Sequence, residues 1–170
     1  MILWLWTPWA KYRYQGPGTF TDRGFFSYPR YEAQLGNIPL SKAGEYQYFF
    51  LGLPGEEMDL LLELTPRVAY NSKEWHDLEQ LRIPIQAVIR EQHGGKEVCR
   101  ASGTTEDNNS GGVWVLTSGY GSAFWHHQCN QVQFHSNRSY QLTLTVSRAD
   151  PAAENLVVAP TLVGGGIELP

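Results

Sequence analysis

SYQLTLTVSR, from Ser139 to Arg148, is the most regular stretch of this chain. Tyr140, Leu142, Leu144 and Val146 occupy every second position, and the residues between them are Gln or Thr. Successive side chains of a β-strand point to opposite faces, so this alternation predicts a half-buried strand in an antiparallel sheet. We expect all four apolar residues to face the core.

The composition indicates short strands joined by turns. The 170 residues include 17 Gly and 10 Pro, 13% are aromatic and only 18% are charged. This length fits one domain, which buries roughly 70% of the surface of its unfolded chain and needs neither a metal nor many disulfides to fold. The net charge of -4 and the lack of a Lys- or Arg-rich run exclude the electrostatic signature of a nucleic-acid-binding protein.

Further strands are predicted on both sides of one short helix. Residues 45–51 place three aromatic rings on one face and residues 58–65 place three leucines on one face, so we expect these two strands to be antiparallel neighbours. In residues 71–81, NSKEWHDLEQL, Asn71 can cap a helix of about two turns that spans residues 72–81. Residues 83–89 and 97–101, joined by a Gly-Gly turn, predict a β-hairpin.

These elements contain no βαβ unit. They predict an all-β fold, a two-layer antiparallel β-sandwich of jelly-roll or immunoglobulin-like type with one short helical insertion near residues 72–81. We expect the sandwich domain to span residues 38–170 and to follow an irregular, aromatic-rich arm at residues 1–37.

The chain has two cysteines, Cys99 and Cys129, on opposite sides of a polar loop. A disulfide bond between them is the simplest interpretation, and two buried free thiols are the alternative. A disulfide would indicate an oxidising compartment, such as a periplasm or the cell exterior.

The first ten residues, Met1–Ala10, are apolar. They are too few for a membrane-spanning helix, which needs about 20 residues, and they lack the basic start and cleavage site of a signal peptide. Two interpretations stay open: the remnant of a membrane or signal segment, which would allow peripheral membrane association, or a Trp-rich strand packed on the domain.

Candidate catalytic and metal-binding groups are weak. Adjacent His126 and His127 would face opposite ways in a strand and could not easily bind one ion, so we expect no metal and no other cofactor. Ser122 lies in a Gly-rich segment without the G-x-S-x-G pattern of a nucleophile elbow. Glu63 and the other carboxylates are expected to be solvated, and no residue is assigned a catalytic role.

The order of three segments resembles a known type of domain. IPLSKAGEYQYFFLGL at 38–53, IPIQAVIREQHGGKEV at 83–98 and RSYQLTLTVSRADP at 138–151 resemble an uncharacterised β-sandwich domain of proteobacterial envelope proteins, over residues 38–163. The resemblance implies a β-sandwich and a periplasmic or envelope-associated location. In size and compartment such domains resemble accessory proteins or toxin-neutralising immunity proteins, and no functional residues carry over.

Aromatic residues beside Gly-rich loops are the remaining functional signal. Trp114, Tyr120, Phe124 and Trp125 either fill the core or present exposed rings.

If the rings are exposed, the loops at 103–112 and 118–125 predict a partner-binding surface. Tyr120 and Trp125 would be its anchors, with His126 beside them, and Glu106 and Asp107 would steer a basic partner. We therefore expect a non-catalytic protein-binding module, such as an immunity-type inhibitor of a secreted toxin. The alternatives are a carbohydrate-binding sandwich, which needs a flat row of rings, and a hydrolase without a recognisable motif.

Overall fold

The alternating stretch forms the strand Ser139–Val146, and Tyr140, Leu142, Leu144 and Val146 are all at most 1% exposed, as predicted. The structure is a computed structural model that describes residues 13–24, 27–106, 112–118 and 122–165. These residues form an all-β fold with one α-helix, which confirms the predicted fold class.

The described residues contain twelve strands, one α-helix and two 3-10 helices. In chain order they are β1 (Thr19–Asp22), β2 (Tyr31–Gln34), β3 (Ile38–Pro39), β4 (Gly44–Leu51), β5 (Glu57–Thr65), α1 (Lys73–Glu79), β6 (Pro84–Glu91), β7 (Glu97–Glu106), β8 (Trp114–Thr117), β9 (Ala123–Trp125), a 3-10 helix (His127–Cys129), β10 (Val132–Gln133), β11 (Ser139–Val146), a second 3-10 helix (Pro151–Ala153) and β12 (Val157–Gly164).

The strands form one continuous, curled sheet in the order β1-β2-β12-β5-β9-β8-β7-β6-β11-β4, with β10 beside β5 and β3 beside β12. The long strand β7 connects its two halves. Up to Thr104 it pairs with β6, and at Thr105 and Glu106 it pairs with β8 in parallel, where the sequence predicted only antiparallel pairs. We call β4, β11, β6 and most of β7 the β11 half of the sheet. The β5 half consists of β1, β2, β12, β5, β9 and β8.

The core lies between the two halves. Leu60, Leu62 and Leu64 of β5 belong to the same buried cluster as the inward residues of β11. The Tyr140 ring lies 5.9 Å from the Phe50 ring and 5.0 Å from the Phe134 ring. The curled sheet therefore packs its apolar faces against each other in the manner of a sandwich.

The predicted pairing of the first two long strands is wrong. β4 pairs with β11, and β5 pairs with β12 and β9. The two strands belong to different halves, so their apolar faces meet across the core instead of lying side by side.

The arm before residue 38 is less irregular than its sequence predicts. β1 pairs with β2, and β2 pairs with β12, which buries Tyr31 and Ala33 in the core. Residues 13–24 and 27–37 are thus joined to the same sheet as the rest of the chain. Residues 1–12, including Met1–Ala10, lie outside the described residues.

The predicted helix is present as α1, with Trp75 and Leu78 buried. Its N-cap is Ser72, whose Oγ accepts a hydrogen bond from the Trp75 N–H at 3.1 Å, so the assignment of Asn71 as the cap is wrong. Asn71 instead has φ of 58°, a left-handed conformation that asparagine tolerates. No helix among residues 13–24, 27–106, 112–118 and 122–165 is long and apolar enough to cross a membrane.

The predicted disulfide is confirmed. Cys99 and Cys129 are bonded, and their α-carbons lie 5.4 Å apart. The bond attaches the 3-10 helix after β9 to β7. The hairpin of β6 and β7 is also confirmed.

Candidate functional site

Trp125 lies on the outer face of the β5 half. In β9, Phe124 points into the main core, whereas Ala123 and Trp125 point the other way. The backbone of Trp125 is paired with Leu61 of β5 and Val115 of β8. The ring of Trp125 therefore sits on the outside of the sheet, away from the space between its halves.

A second, smaller apolar cluster supports this ring. Leu61 and Ala123 are 0% exposed and Val163 is 3% exposed, and Trp125 is the half-buried residue packed against them. We call Leu61, Ala123, Trp125 and Val163 the Trp125 patch. Leu61, Ala123 and Val163 are buried although they point outward, so Trp125 is the member of the patch that reaches the surface.

Carboxylates lie beside the Trp125 patch on three sides. Val163 is aligned with Glu32 of β2 and with Asp59 of β5, and Glu63 is aligned with Ala123. A groove of about 360 Å³ next to Val163 adds Glu56 and Glu57 to its lining. Arg23, which is paired with Glu32, and Arg67, which acts on Glu63, offset part of this charge. The surroundings of the patch therefore hold more acidic than basic groups.

Glu63 does not occupy the solvated position that its sequence predicted. It is half buried, and burial, followed by the nearby charge of Glu32, raises the pKa of its carboxyl group. Arg67 and a hydrogen bond from the Thr161 hydroxyl, at 3.3 Å, act in the opposite direction. The run of three leucines at 60–62 was the sequence signal for this burial. It makes β5 apolar on both faces, and a strand of that kind is covered by other parts of the protein on both faces.

The structure brings Glu106 and Trp125 into one row of the sheet. Glu106 is aligned with Val115 of β8, and Val115 is aligned with Trp125 of β9. With strands about 4.8 Å apart, the two backbones are about 10 Å apart. Two more of the five predicted partner-binding residues, Asp107 and Tyr120, lie outside the described residues, as do residues 108–111, Gly119 and Gly121. The predicted polar loop is shorter than expected, since residues 102–106 continue β7.

Two of the four aromatic candidates belong to the main core. Trp114 is 0% exposed and Phe124 is 1% exposed. The indole N–H of Trp114 donates to the Ile85 carbonyl oxygen at 3.1 Å, which ties β8 to β6 across the core. These rings fill the interior and do not form a binding surface.

His126 is fully buried, so its side chain does not reach the surface that was predicted to contact a partner. Its ring lies 5.2 Å from the Trp114 ring and is stacked on His127 at 4.9 Å. The two histidines do not face opposite ways, because the chain leaves the strand after Trp125 and enters a 3-10 helix.

The polar atoms of His126 are poorly satisfied. Nδ1 accepts a hydrogen bond from the Gln128 N–H at 3.2 Å, while the buried Nε2 makes no hydrogen bond of normal geometry within the described residues. Burial, followed by the charge of His127, lowers the pKa of His126, and the backbone of Ser102 opposes that decrease. The described part of the chain holds no cluster of three or more His, Cys, Asp or Glu suited to a metal.

Ser122 has a structural position. It is 4% exposed, its Oγ accepts a hydrogen bond from the Val68 N–H at 2.7 Å, and its carbonyl oxygen accepts one from the Leu64 N–H at 2.8 Å. These bonds attach the segment after β5 to the start of β9, next to the Trp125 patch.

The chain matches no protein-family model and no curated protein sequence. Its function therefore has to be argued from the geometry and chemistry of the Trp125 patch. The resemblance to an envelope β-sandwich domain stays a prediction.

Proposed function

We propose that this chain is a non-catalytic protein-binding domain of the bacterial periplasm or envelope, and that it contacts its partner through the Trp125 patch and the adjoining loops. The observation that carries the proposal is the position of Trp125, half buried on the outer face of the sheet. A tryptophan held by buried neighbours loses little conformational entropy on binding and offers a large apolar area, and such residues dominate protein interfaces.

The carboxylates around the patch favour a basic partner. Asp59 and Glu63 lie beside it, Glu32 lies there in an ion pair with Arg23, and the whole chain has a net charge of -4. Charges at the rim of an interface speed up association with an oppositely charged surface and disfavour other partners. An immunity-type inhibitor that covers a basic surface of a secreted toxin fits this chemistry.

The disulfide supports the proposed compartment. Cys99 and Cys129 form a bond of the kind that persists in oxidising compartments and is rare in the cytosol. A periplasmic or envelope-associated location is therefore part of the proposal.

The carbohydrate-binding alternative has less support. A sugar platform needs several aligned exposed rings, and Trp114 and Phe124 are in the core. This leaves Trp125 and the undescribed Tyr120 to stack on a sugar.

The test compares binding by the parent chain and two variants. An envelope extract is passed over the immobilised parent chain, the retained protein is purified, and calorimetry measures its affinity for the parent, Trp125→Ala and Phe49→Ala. Phe49 is a matched control, an aromatic residue that is 50% exposed on β4, which four strands separate from β9.

We expect Trp125→Ala to weaken binding by about 2 kcal/mol or more, which is about thirtyfold, and Phe49→Ala to leave the affinity unchanged. Circular dichroism checks that both variants fold. Equal affinities of Trp125→Ala and the parent for the retained protein would show that the patch is not the binding surface.

A further inference from the structure

Within the described part of the chain, β4 is the last strand at one edge of the sheet. It pairs with β11 on one side, in an unbroken register from Gly44–Val146 to Leu51–Ser139. On its other side the described residues provide one isolated bridge, between Leu51 and Gln15. Gly16, the next residue after this bridge, lies against Phe50. The stretch from Gly44 to Phe49 has no second strand neighbour among the described residues.

The bridge at Leu51 shows which backbone groups of β4 are open. The Leu51 N–H and carbonyl both bond to Gln15, so they point away from β11. Backbone groups alternate in direction along a strand, and those of Glu45, Gln47 and Phe49 therefore point to the open side as well. The side chains of these three residues are also exposed.

The opposite edge of the sheet is protected in a way that β4 is not. β1 has four residues, Asp22 at its end is bound by Arg30, and Arg23 pairs with Glu32. β4 has eight residues, contains neither Lys nor Pro, and exposes 50% of Phe49 and 39% of Leu51. A long edge strand with unpaired backbone groups is a site of strand pairing unless something covers it.

We propose that β4 pairs in antiparallel fashion with β4 of a second copy of this chain, around a two-fold axis at Gln47. Gln47 then faces Gln47 of the second copy, and Glu45 faces Phe49 of the second copy in both directions. Every open backbone group from Glu45 to Phe49 is used, in three hydrogen-bonded pairs with about six hydrogen bonds. The sheet becomes continuous through both molecules.

The side chains are compatible with this register. Tyr46 lies opposite Tyr48 of the second copy, and cross-strand aromatic pairs stabilise neighbouring strands. Glu45 faces an aromatic ring and not a second carboxylate, so no like charges are opposed. A two-fold axis closer to Leu51 would need the backbone groups of Leu51, which already bond to Gln15. A two-fold axis closer to Gly44 would leave Phe49 without a β4 residue of the second copy opposite it.

The surface occupied by this dimer is distinct from the Trp125 patch. In the sheet, β7, β6 and β11 lie between β4 and the strands β8 and β9. Self-association at β4 and partner binding at Trp125 can therefore succeed or fail independently.

The test uses charge reversal at the two-fold axis. Gln47 is exposed, and its side chain bonds to Glu45 at 2.7 Å and to Gln141 at 3.2 Å. Gln47→Lys and Gln47→Glu each place two like charges opposite one another in the dimer, whereas a mixture of the two variants places opposite charges there. Thr21→Lys, an exposed position on the β1 edge, is the matched control.

Sedimentation velocity of the oxidised full chain, over a series of increasing concentrations, measures the dimer. We expect the parent chain and Thr21→Lys to dimerise alike, and each Gln47 variant alone to dimerise at least about tenfold more weakly. An equimolar mixture of Gln47→Lys and Gln47→Glu should recover the dimer. Hydrogen exchange should slow at the amides of Glu45, Gln47 and Phe49 as the parent dimerises.

Three results would overturn the proposal. The first is a parent chain that stays monomeric at every concentration. If its Gln47 amide is protected in that monomer, another part of the same chain covers the edge. The second is a dimer that the Gln47 variants leave unchanged, and the third is a mixture that does not recover the dimer, because either result places the contact elsewhere.

Discussion

Reduction of the Cys99–Cys129 bond should lower the free energy of unfolding by about 3 to 4 kcal/mol. The two cysteines are 30 residues apart in the chain, and the chain-entropy treatment gives this amount for a loop of that length. Small domains have a total stability of about 5 to 15 kcal/mol, so the bond contributes a large part of it.

Two forms of the protein separate loop closure from packing. The reduced parent chain keeps both sulfur atoms, and its loss of stability measures loop closure alone. Cys99→Ala with Cys129→Ala also removes two sulfur atoms from positions that are 7% and 0% exposed. The double variant should therefore lose more stability than the reduced parent, because it also leaves small cavities.

The assay is urea denaturation followed by circular dichroism, with and without a thiol reductant. The double variant provides the control, since a reductant should not change its unfolding curve. If the oxidised and reduced parent chains unfold at the same urea concentration, the bond does not restrict the unfolded chain as argued, and the calculated stabilisation is wrong.

Three further predictions concern single side chains. Leu144→Ala should cost about 2 to 5 kcal/mol in urea denaturation because Leu144 is 0% exposed in the core. Thr143→Ala, on the half-buried outer face of the same strand, should change stability by about 1 kcal/mol or less. An unchanged midpoint for Leu144→Ala would contradict the assigned core. Burial and the charge of Glu32 raise the pKa of Glu63 above 4.5, so the ionised carboxylate destabilises the folded state. Glu63→Gln should therefore be more stable than the parent at pH 7. The difference should disappear below about pH 4, where the carboxyl group is protonated in both the folded and the unfolded state. A variant that is less stable than the parent at pH 7 would refute this. Burial lowers the pKa of His126 below 6.5, so the folded state binds a proton less readily than the unfolded chain. The parent chain should therefore lose stability as the pH falls below 6.5. His126→Phe should reduce this loss because it removes the titrating group. Denaturation midpoints measured from pH 7.5 to pH 5 check it, and parallel curves for parent and variant would show that His126 is not responsible.

Features with a local signal could be predicted from the sequence. The alternation in β11 identified a strand and its buried face, and the Gly-Gly turn identified the hairpin of β6 and β7. The helix at 73–79 was also predicted, but its cap was assigned to Asn71 instead of Ser72, because either side chain can accept the first hydrogen bond.

The candidate site was predicted only in part. Trp125 was singled out as an anchor, and it does lie on an outer face. His126 was expected to be exposed, but the 3-10 helix turns its ring inward against Trp114. Glu63 was taken as solvated although the leucines at 60–62 indicated a strand that is covered on both faces. The residues aligned with it, Ala123 of β9 and Ala159 of β12, cannot be identified from β5 alone.

The sequence by itself determined which face of each strand is apolar, since the two-residue period of a strand depends only on local backbone geometry. It also determined the disulfide partners, because the chain has two cysteines. Only the tertiary structure decided that β4 and β5 lie in opposite halves and that Trp125 lies on a second, outer cluster. It also decided that β4 is an edge strand among the described residues. The physical reason is that every strand offers the same backbone hydrogen-bonding groups, so the choice of neighbour depends on how the whole set of apolar faces packs into one core.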